Sequence, residues 1–203
     1  MIPQDRLIVS TACLKGDKTH DRVLDVLIGL GIKNIELTGV HPYMETPMLR
    51  ETVLKYKNQG IGFTFHNYFP PPKDTMVLNF LSRDAQTKRQ ATDLISEAIQ
   101  LAKQTQVSIY AFHPGYYRDA QALPNGHFKF NDEVPMAKQT AMQLYKSEFP
   151  EFYKKLNIQS DNQKVFVALE NLFPGADGIN DSFMCTFEEI DELFQSEGFR
   201  DTN

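Results

Sequence analysis

With 203 residues, 21 basic against 26 acidic side chains and a formal charge of −5, the chain is long enough to bury a core without a disulfide or a structural metal. Hydrophobic residues make up 41% and charged residues 23%, a balance that excludes a disordered chain, and no apolar run approaches the roughly 20 residues that cross a bilayer. Asp5 and Arg6 interrupt the N-terminus where a signal peptide would need its apolar stretch, so a cytoplasmic protein with no membrane partner is expected.

Cys13 and Cys185 have no CxxC or zinc-finger spacing and predict no staple. Asn180-Asp181-Ser182 matches a glycosylation acceptor, which without an export signal is accidental. A negative charge with no block of lysine and arginine argues against a nucleic-acid partner, although a local basic groove can sit on an acidic protein.

Five apolar segments rich in β-branched or aromatic residues read as short buried strands: 7–12, 34–38, 61–65, 107–112 and 165–169. Helical periodicity follows each. Val23, Leu24, Leu27 and Leu30 mark the first helix, and Gly31 stops it. The second runs from about Pro47 to Gln59, with Gly60 as its stop. The third begins near Ser82 as its cap and buries Ala91, Leu94, Ile95, Ala98 and Ala102 on one face. A fourth spans roughly Pro135 to Leu156, with a kink or break expected at Pro150. The fifth opens at Thr186-Phe187-Glu188-Glu189, the pattern of a capping box. Strict alternation of strand and helix predicts parallel strands joined by right-handed crossovers.

A doubly wound sheet or a (β/α)8 barrel would satisfy that alternation. Residues 10–16 contain one glycine, so the GxGxxG turn of a dinucleotide-binding sheet is absent, Gly29-Leu30-Gly31 lies at a helix end, and no GxxxxGK(S/T) loop occurs. Ionisable residues instead stand at the C-terminal end of strand after strand: Glu36, His66, His113 and Glu170. In a barrel those ends meet at one mouth, where catalytic groups sit.

His66 closes Phe63-Thr64-Phe65-His66, His113 closes Tyr110-Ala111-Phe112-His113, and Glu170 closes Val167-Ala168-Leu169-Glu170. Taken singly, each is ordinarily a hydrogen-bonded loop residue. On three successive strands about 5 Å apart they can reach one ion, and two imidazoles with one carboxylate are a common ligand set for zinc, manganese or iron.

The run from Ser82-Arg83-Asp84-Ala85 to Phe112-His113-Pro114-Gly115, with His66 before it and Glu170-Asn171 after it, resembles the xylose isomerase-like TIM-barrel superfamily. That group contains sugar and sugar-phosphate isomerases and epimerases and the endonuclease IV-like nucleases. The resemblance implies an α/β chain of (β/α)8 type with about five βα units in residues 1–203, a single partial barrel domain lacking strands six to eight of a fold that needs roughly 250 residues. It implies a divalent metal, zinc, manganese, cobalt or magnesium, held by His66, His113 and Glu170. His66 and His113 correspond to ligands of the nuclease branch, while Glu170 matches both branches. Glu170 and His113 are the expected catalytic groups. The implied substrate is a sugar or sugar phosphate, because Pro70-Pro71-Pro72 forms a stiff connection where the nuclease branch inserts bulky side chains into DNA.

Glu36, His41, Asn67, Tyr68, Tyr116 and Asn171 are the expected substrate-binding residues. For Glu36 the alternative is a buried ion pair, for His41 an exposed loop, and for Tyr68 and Tyr116 packing under loops. Lys73, Arg118 and Lys129 are candidates to hold a phosphate, and solvated surface is the alternative for each. His20 and His127 receive no assignment. An open sheet with two edges predicts association with another chain or with a second copy.

Overall fold

A computed structural model describes residues 7–14, 16–123, 128–156, 164–173 and 181–200. The chain runs β1 (Ile8–Ser10), a short 3-10 turn (Thr11–Leu14), α1 (His20–Gly29), β2 (Asn34–Thr38), α2 (Thr46–Lys57), β3 (Gly62–His66), α3 (Ala85–Thr105) and β4 (Ile109–Phe112). There follow β5 (Ala120–Ala122), β6 (Phe128–Phe130), α4 (Lys138–Lys155), β7 (Phe166–Leu169), α5 (Phe187–Phe194) and α6 (Glu197–Arg200). The main sheet has the order β1-β2-β3-β4-β7. All five expected strands are present, as are the five expected helices.

The register sorts side chains onto two faces. Ile8 pairs with Asn34 and Ser10 with Glu36; Asn34 pairs with Gly62, Glu36 with Thr64 and Thr38 with His66; His66 pairs with Ala111. Because successive side chains alternate, Ile35, Leu37, Phe63, Phe65, Tyr110 and Phe112 share the other face, and all six are buried. The Phe166 N–H donates to the Ser108 carbonyl at 2.7 Å, which puts Phe166 beside Ile109 on the first face. There Ile8, Ile109 and Phe166 are 52%, 38% and 53% exposed, Ile109 and Phe166 side by side and Ile8 separated from them by Asn34, Gly62 and Thr64.

The chain falls into two compact units. The first comprises Met1–Asp74, Leu94–Phe112 and Asp161–Ala168; the second comprises Thr75–Asp93, His113–Ser160 and Leu169–Asn203. In the first, α1 buries Val23, Leu24 and Leu27. Leu30, expected on that buried face, is 72% exposed. The helix ends at Gly29, and the chain leaves it through Gly31 at φ +83°, which swings Leu30 outward. In α2, Pro47 lies in the first turn and Leu49, Val53 and Tyr56 face inward.

In the second unit, α3 starts later than expected. Asp84 rather than Ser82 caps it, its Oδ1 accepting from the Thr87 amide at 2.7 Å and the Thr87 hydroxyl at 2.9 Å. Those donors hold the Asp84 carboxyl below its ordinary range. Helix α4 continues through Pro150 without a break. The capping box of α5 forms: Thr186 Oγ1 accepts from the Glu189 amide and Glu189 Oε2 accepts from the Thr186 amide.

The β5–β6 hairpin went unread in the sequence. Its strands are three residues each, too short for periodicity to register. They matter because Phe128 and Phe130 meet Tyr116 edge-on at 5.7 and 5.4 Å, above Val77 and Leu172. The aromatic centre of the second unit is Tyr145, with ring centroids of Phe149, Phe183 and Phe80 at 5.0, 5.1 and 5.2 Å. Among the described residues its buried hydroxyl has no hydrogen-bond partner. A polar group left in that condition costs about 1–3 kcal/mol. Tyr145→Phe, which keeps the ring and removes the orphan, is therefore expected to raise stability by about 1 kcal/mol in urea denaturation. A loss instead would show that the hydroxyl is satisfied.

Candidate functional site

The first unit carries a cleft of about 210 Å³ at the C-terminal ends of β1, β2 and β3, lined by Ser10, Ala12, Glu36, Thr38, Gly39, Val40, His66, Asn67 and Tyr68. It lies there because of the alternation described above: Ser10, Glu36, Thr38 and His66 are the last residues of one strand face, and the backbone beyond them turns away. None of these lining residues is a lysine or arginine. Glu36 Oε1 stands 4.0 Å from His66 Nδ1, with both side chains partly exposed.

The cleft walls are held by backbone-directed bonds. Asn67, at φ +46°, donates its amide to the Ala111 carbonyl at 2.6 Å, and its own carbonyl accepts the Tyr110 hydroxyl at 2.7 Å. Burial raises the Tyr110 phenol far above its ordinary range, so this hydroxyl stays a donor. Gly39 meets the following wall directly: a Cβ there would lie 2.0 Å from the Tyr68 carbonyl oxygen. Thr11 Oγ1 accepts from the Thr38 amide at 3.1 Å and lies 3.0 Å from Thr38 Oγ1, tying the turn after β1 to the end of β2.

In the second unit, His113 Nε2 stands 3.4 Å from Glu170 Oε2. This segment is positioned by Asn79, only 1% exposed. Asn79 Oδ1 accepts from the Tyr116 amide at 2.9 Å and the Leu81 amide at 3.1 Å, while its Nδ2 donates to the Arg118 carbonyl at 3.3 Å. Gly115 leaves room for it, since a Cβ there would meet Asn79 Oδ1 at 2.6 Å. Sequence reading missed this residue because it looked for polar groups at strand ends. The available signal was an asparagine inside the apolar run Val77-Leu78-Asn79-Phe80-Leu81.

The expected substrate residues divide. Glu36, Asn67 and Tyr68 line the cleft. His41 does not: it is buried, its Nε2 3.1 Å from the Thr11 carbonyl. Tyr116 is packed under the β5–β6 hairpin, and burial pushes its phenol up to about 12. Asn171 is exposed. Arg118 is no free phosphate grip, since its guanidinium makes a two-pronged pair with Asp181, Nε to Oδ1 at 2.7 Å. Lys73 and Lys129 are solvent-exposed, and His127 lies outside the described residues. Pro70 and Pro71 are buried, and so is Phe69 before them. Of the three expected metal ligands, His66 lies in the first unit and His113 and Glu170 lie in the second. No helix of the described residues is long and apolar enough to cross a membrane.

Removing the Asn79 side chain would leave two buried N–H groups without acceptors. Asn79→Ala is expected to cost about 2–4 kcal/mol by urea denaturation, with Asn79→Asp recovering part of it through the retained acceptor. A loss below about 0.5 kcal/mol would show that the segment after His113 is held by other contacts.

No protein-family profile matches the sequence, and no curated protein does. Solved structures do match. D-psicose 3-epimerase with D-tagatose from Clostridium cellulolyticum is 12% identical with a TM-score of 0.62, over 92% of this chain and 59% of its own. IOLI protein with a bound zinc atom is 13% identical with a TM-score of 0.60, over 92% and 56%. Endonuclease IV from Thermus thermophilus is 14% identical with a TM-score of 0.55, over 95% and 59%. The chain thus spans less than two thirds of the length of each. Its fold is that of these TIM-barrel structures, represented here by five βα units.

Proposed function

We propose that this chain is part of a metal-dependent sugar isomerase or epimerase, with residues 1–203 contributing a single partial barrel domain. The observation that carries the reading is the chemistry of the cleft. Hydroxyl, amide and carboxylate groups from Ser10, Thr38, Asn67, Tyr68 and Glu36 line it without a lysine or arginine, which suits the many hydroxyls of a small sugar better than a polyanion.

His66, His113 and Glu170 are the residues that would hold the ion. Support comes from where each falls along the chain: His66 is the last residue of β3, and His113 and Glu170 are the residues that follow β4 and β7. The donor set fits a divalent ion of the zinc, manganese or cobalt kind, and the carboxylate of Glu36 near His66 Nδ1 favours the proton there and leaves Nε2 its lone pair. Such an ion would polarise a substrate carbonyl or hydroxyl. Glu170 then acts as the base for the proton on the neighbouring carbon, and His113 beside it stabilises and orients the carboxylate. Ser10, Asn67 and Glu36 bind and orient the remaining hydroxyls.

One observation favours a second reading. Two histidines on adjacent strand ends are the feature that the resemblance ties to the nuclease branch, so phosphodiester cleavage at abasic sites is the alternative. The burial of Phe69, Pro70 and Pro71 weighs against it, because no bulky side chain from 69–71 is left to enter a duplex.

Ketoses incubated in D2O with Mn2+, Co2+, Mg2+ or Zn2+ should gain deuterium beside the carbonyl, and Glu170→Gln should slow this by about 100-fold or more. Calorimetric titration should show metal affinity falling at least about tenfold in His113→Ala. Metal binding without exchange on any sugar, together with nicking of an abasic duplex, would replace the first reading with the second.

The exposed side chains of Ile8, Ile109 and Phe166, and β1 and β7 as the outer strands of the sheet among the described residues, also support association with a complementary chain or a second copy. The mass in solution tests this: a monomer that binds no apolar dye removes it.

A further inference from the structure

Beneath the cleft walls of the first unit lies a pair of histidines that the proposed chemistry does not use. His20, the first residue of α1, is 1% exposed and His41 is 4% exposed. Their rings meet edge-on at 5.2 Å, and Phe69 closes over His20 at 5.6 Å. His41 Nε2 lies 3.1 Å from the Thr11 carbonyl, but among the described residues His41 Nδ1 and both ring nitrogens of His20 are buried without a hydrogen-bond partner of ordinary geometry.

We propose that the His20–His41 pair is a proton-sensitive latch: neutral, it packs the segments carrying Thr38, Gly39, Val40, Asn67 and Tyr68 against α1, and protonation of His20 releases them and opens the cleft. The surroundings offer a positive charge on His20 only the Thr38 backbone, which is outweighed by burial and by the His41 ring. The 3-10 turn presents the Thr11 carbonyl, the end of β2 presents Thr38, the connection to α2 presents His41, and the connection after β3 presents Phe69. On α1 itself, Asp21 faces Lys55 at 3.9 Å, Arg22 is exposed, and Asp25 accepts the hydroxyl of Tyr56 from α2 at 2.6 Å. Among the described residues no carboxylate is paired with either imidazole.

Burial, with the His41 ring beside it, lowers His20 from 6.5 to about 4. Between those values the open state binds the proton and the closed state does not, so closure weakens as pH falls from about 6.5 and levels off below about 4. From pH 7.5 to 5 the closed-to-open ratio should fall by about thirtyfold.

Two measurements on the whole chain test this. Amide exchange, corrected for intrinsic rates, should show protection at 38–41 and 67–69 falling about thirtyfold from pH 7.5 to 5 while the amides of α3 between Leu94 and Ala102 stay protected. In His20→Phe, which keeps the ring and removes the titration, the fall at 38–41 should shrink to less than about threefold. An equal fall in the variant, or a uniform fall across the wild-type chain, overturns the latch. If the variant does not fold, ring-proton titration of the wild type decides: His20 titrating near 6.5 sinks the proposal, and His20 staying neutral to pH 5 with the local loss sustains it.

Discussion

A parallel strand has two faces and one direction, and the placement of Ser10, Glu36, Thr38 and His66 follows from that constraint. Residues 35, 37, 63, 65, 110 and 112 are apolar and buried on one face; residues 10, 36, 38 and 66 are polar and fall on the other, near the C-terminal ends. Parallel strands linked by helices all point the same way, so polar residues at their C-terminal ends gather on one rim. Glu36 and His66 need no special device to become neighbours. A one-residue slip of β2 against β3 would turn Glu36 toward the buried face and destroy both the core and the cleft.

The same face changes character across the sheet. Ser10 and Glu36 on β1 and β2 are level with Thr64 on β3, and in that same row stand Ile109 on β4 and Phe166 on β7. In a closed barrel this face is filled by side chains from all strands, which makes it a packed core rather than a pore. The partial exposure of Ile8, Ile109 and Phe166 is therefore energetically unfavourable, since a large apolar side chain left wholly in water forgoes about 1.5–3 kcal/mol of burial. Ser10, Glu36 and His66 carry no such penalty, because their polar groups are solvated when exposed.

Much of this was legible in the sequence, for a physical reason. Strands and helices were readable wherever burial of one face forces a period, as in Ile35/Leu37 and in the Ala91–Ala102 stripe of α3, and the α5 cap was readable because its Thr and Glu satisfy backbone donors locally. The failures share a cause as well. His41 and Tyr116 stand close to strand ends in sequence, yet tertiary packing turns His41 beneath the cleft and Tyr116 under a hairpin too short to show a period. Asn79 and the His20–His41 pair were invisible because their partners are distant in sequence: Asn79 binds Tyr116 and Arg118, 37 and 39 positions away. A buried polar side chain announces itself only through what it satisfies, and that is a property of the fold rather than of the local pattern.

The solved structures that share this fold include a sugar epimerase at 12% identity and a nuclease at 14%, so the fold alone does not choose between chemistries. The choice rests on the groups at the rim. Glu170 is common to both readings and discriminates nothing. The two histidines point toward the nuclease branch, whereas the lining of the cleft points the other way, because a phosphodiester carries negative charge and the ionisable groups among these residues are Glu36, His66 and Tyr68. A carboxylate 4.0 Å from one imidazole also lowers the net charge that any bound cation would present to an anionic substrate. A neutral polyol loses nothing to that compensation and gains a hydrogen-bond acceptor in Glu36, which is why the sugar reading stands first.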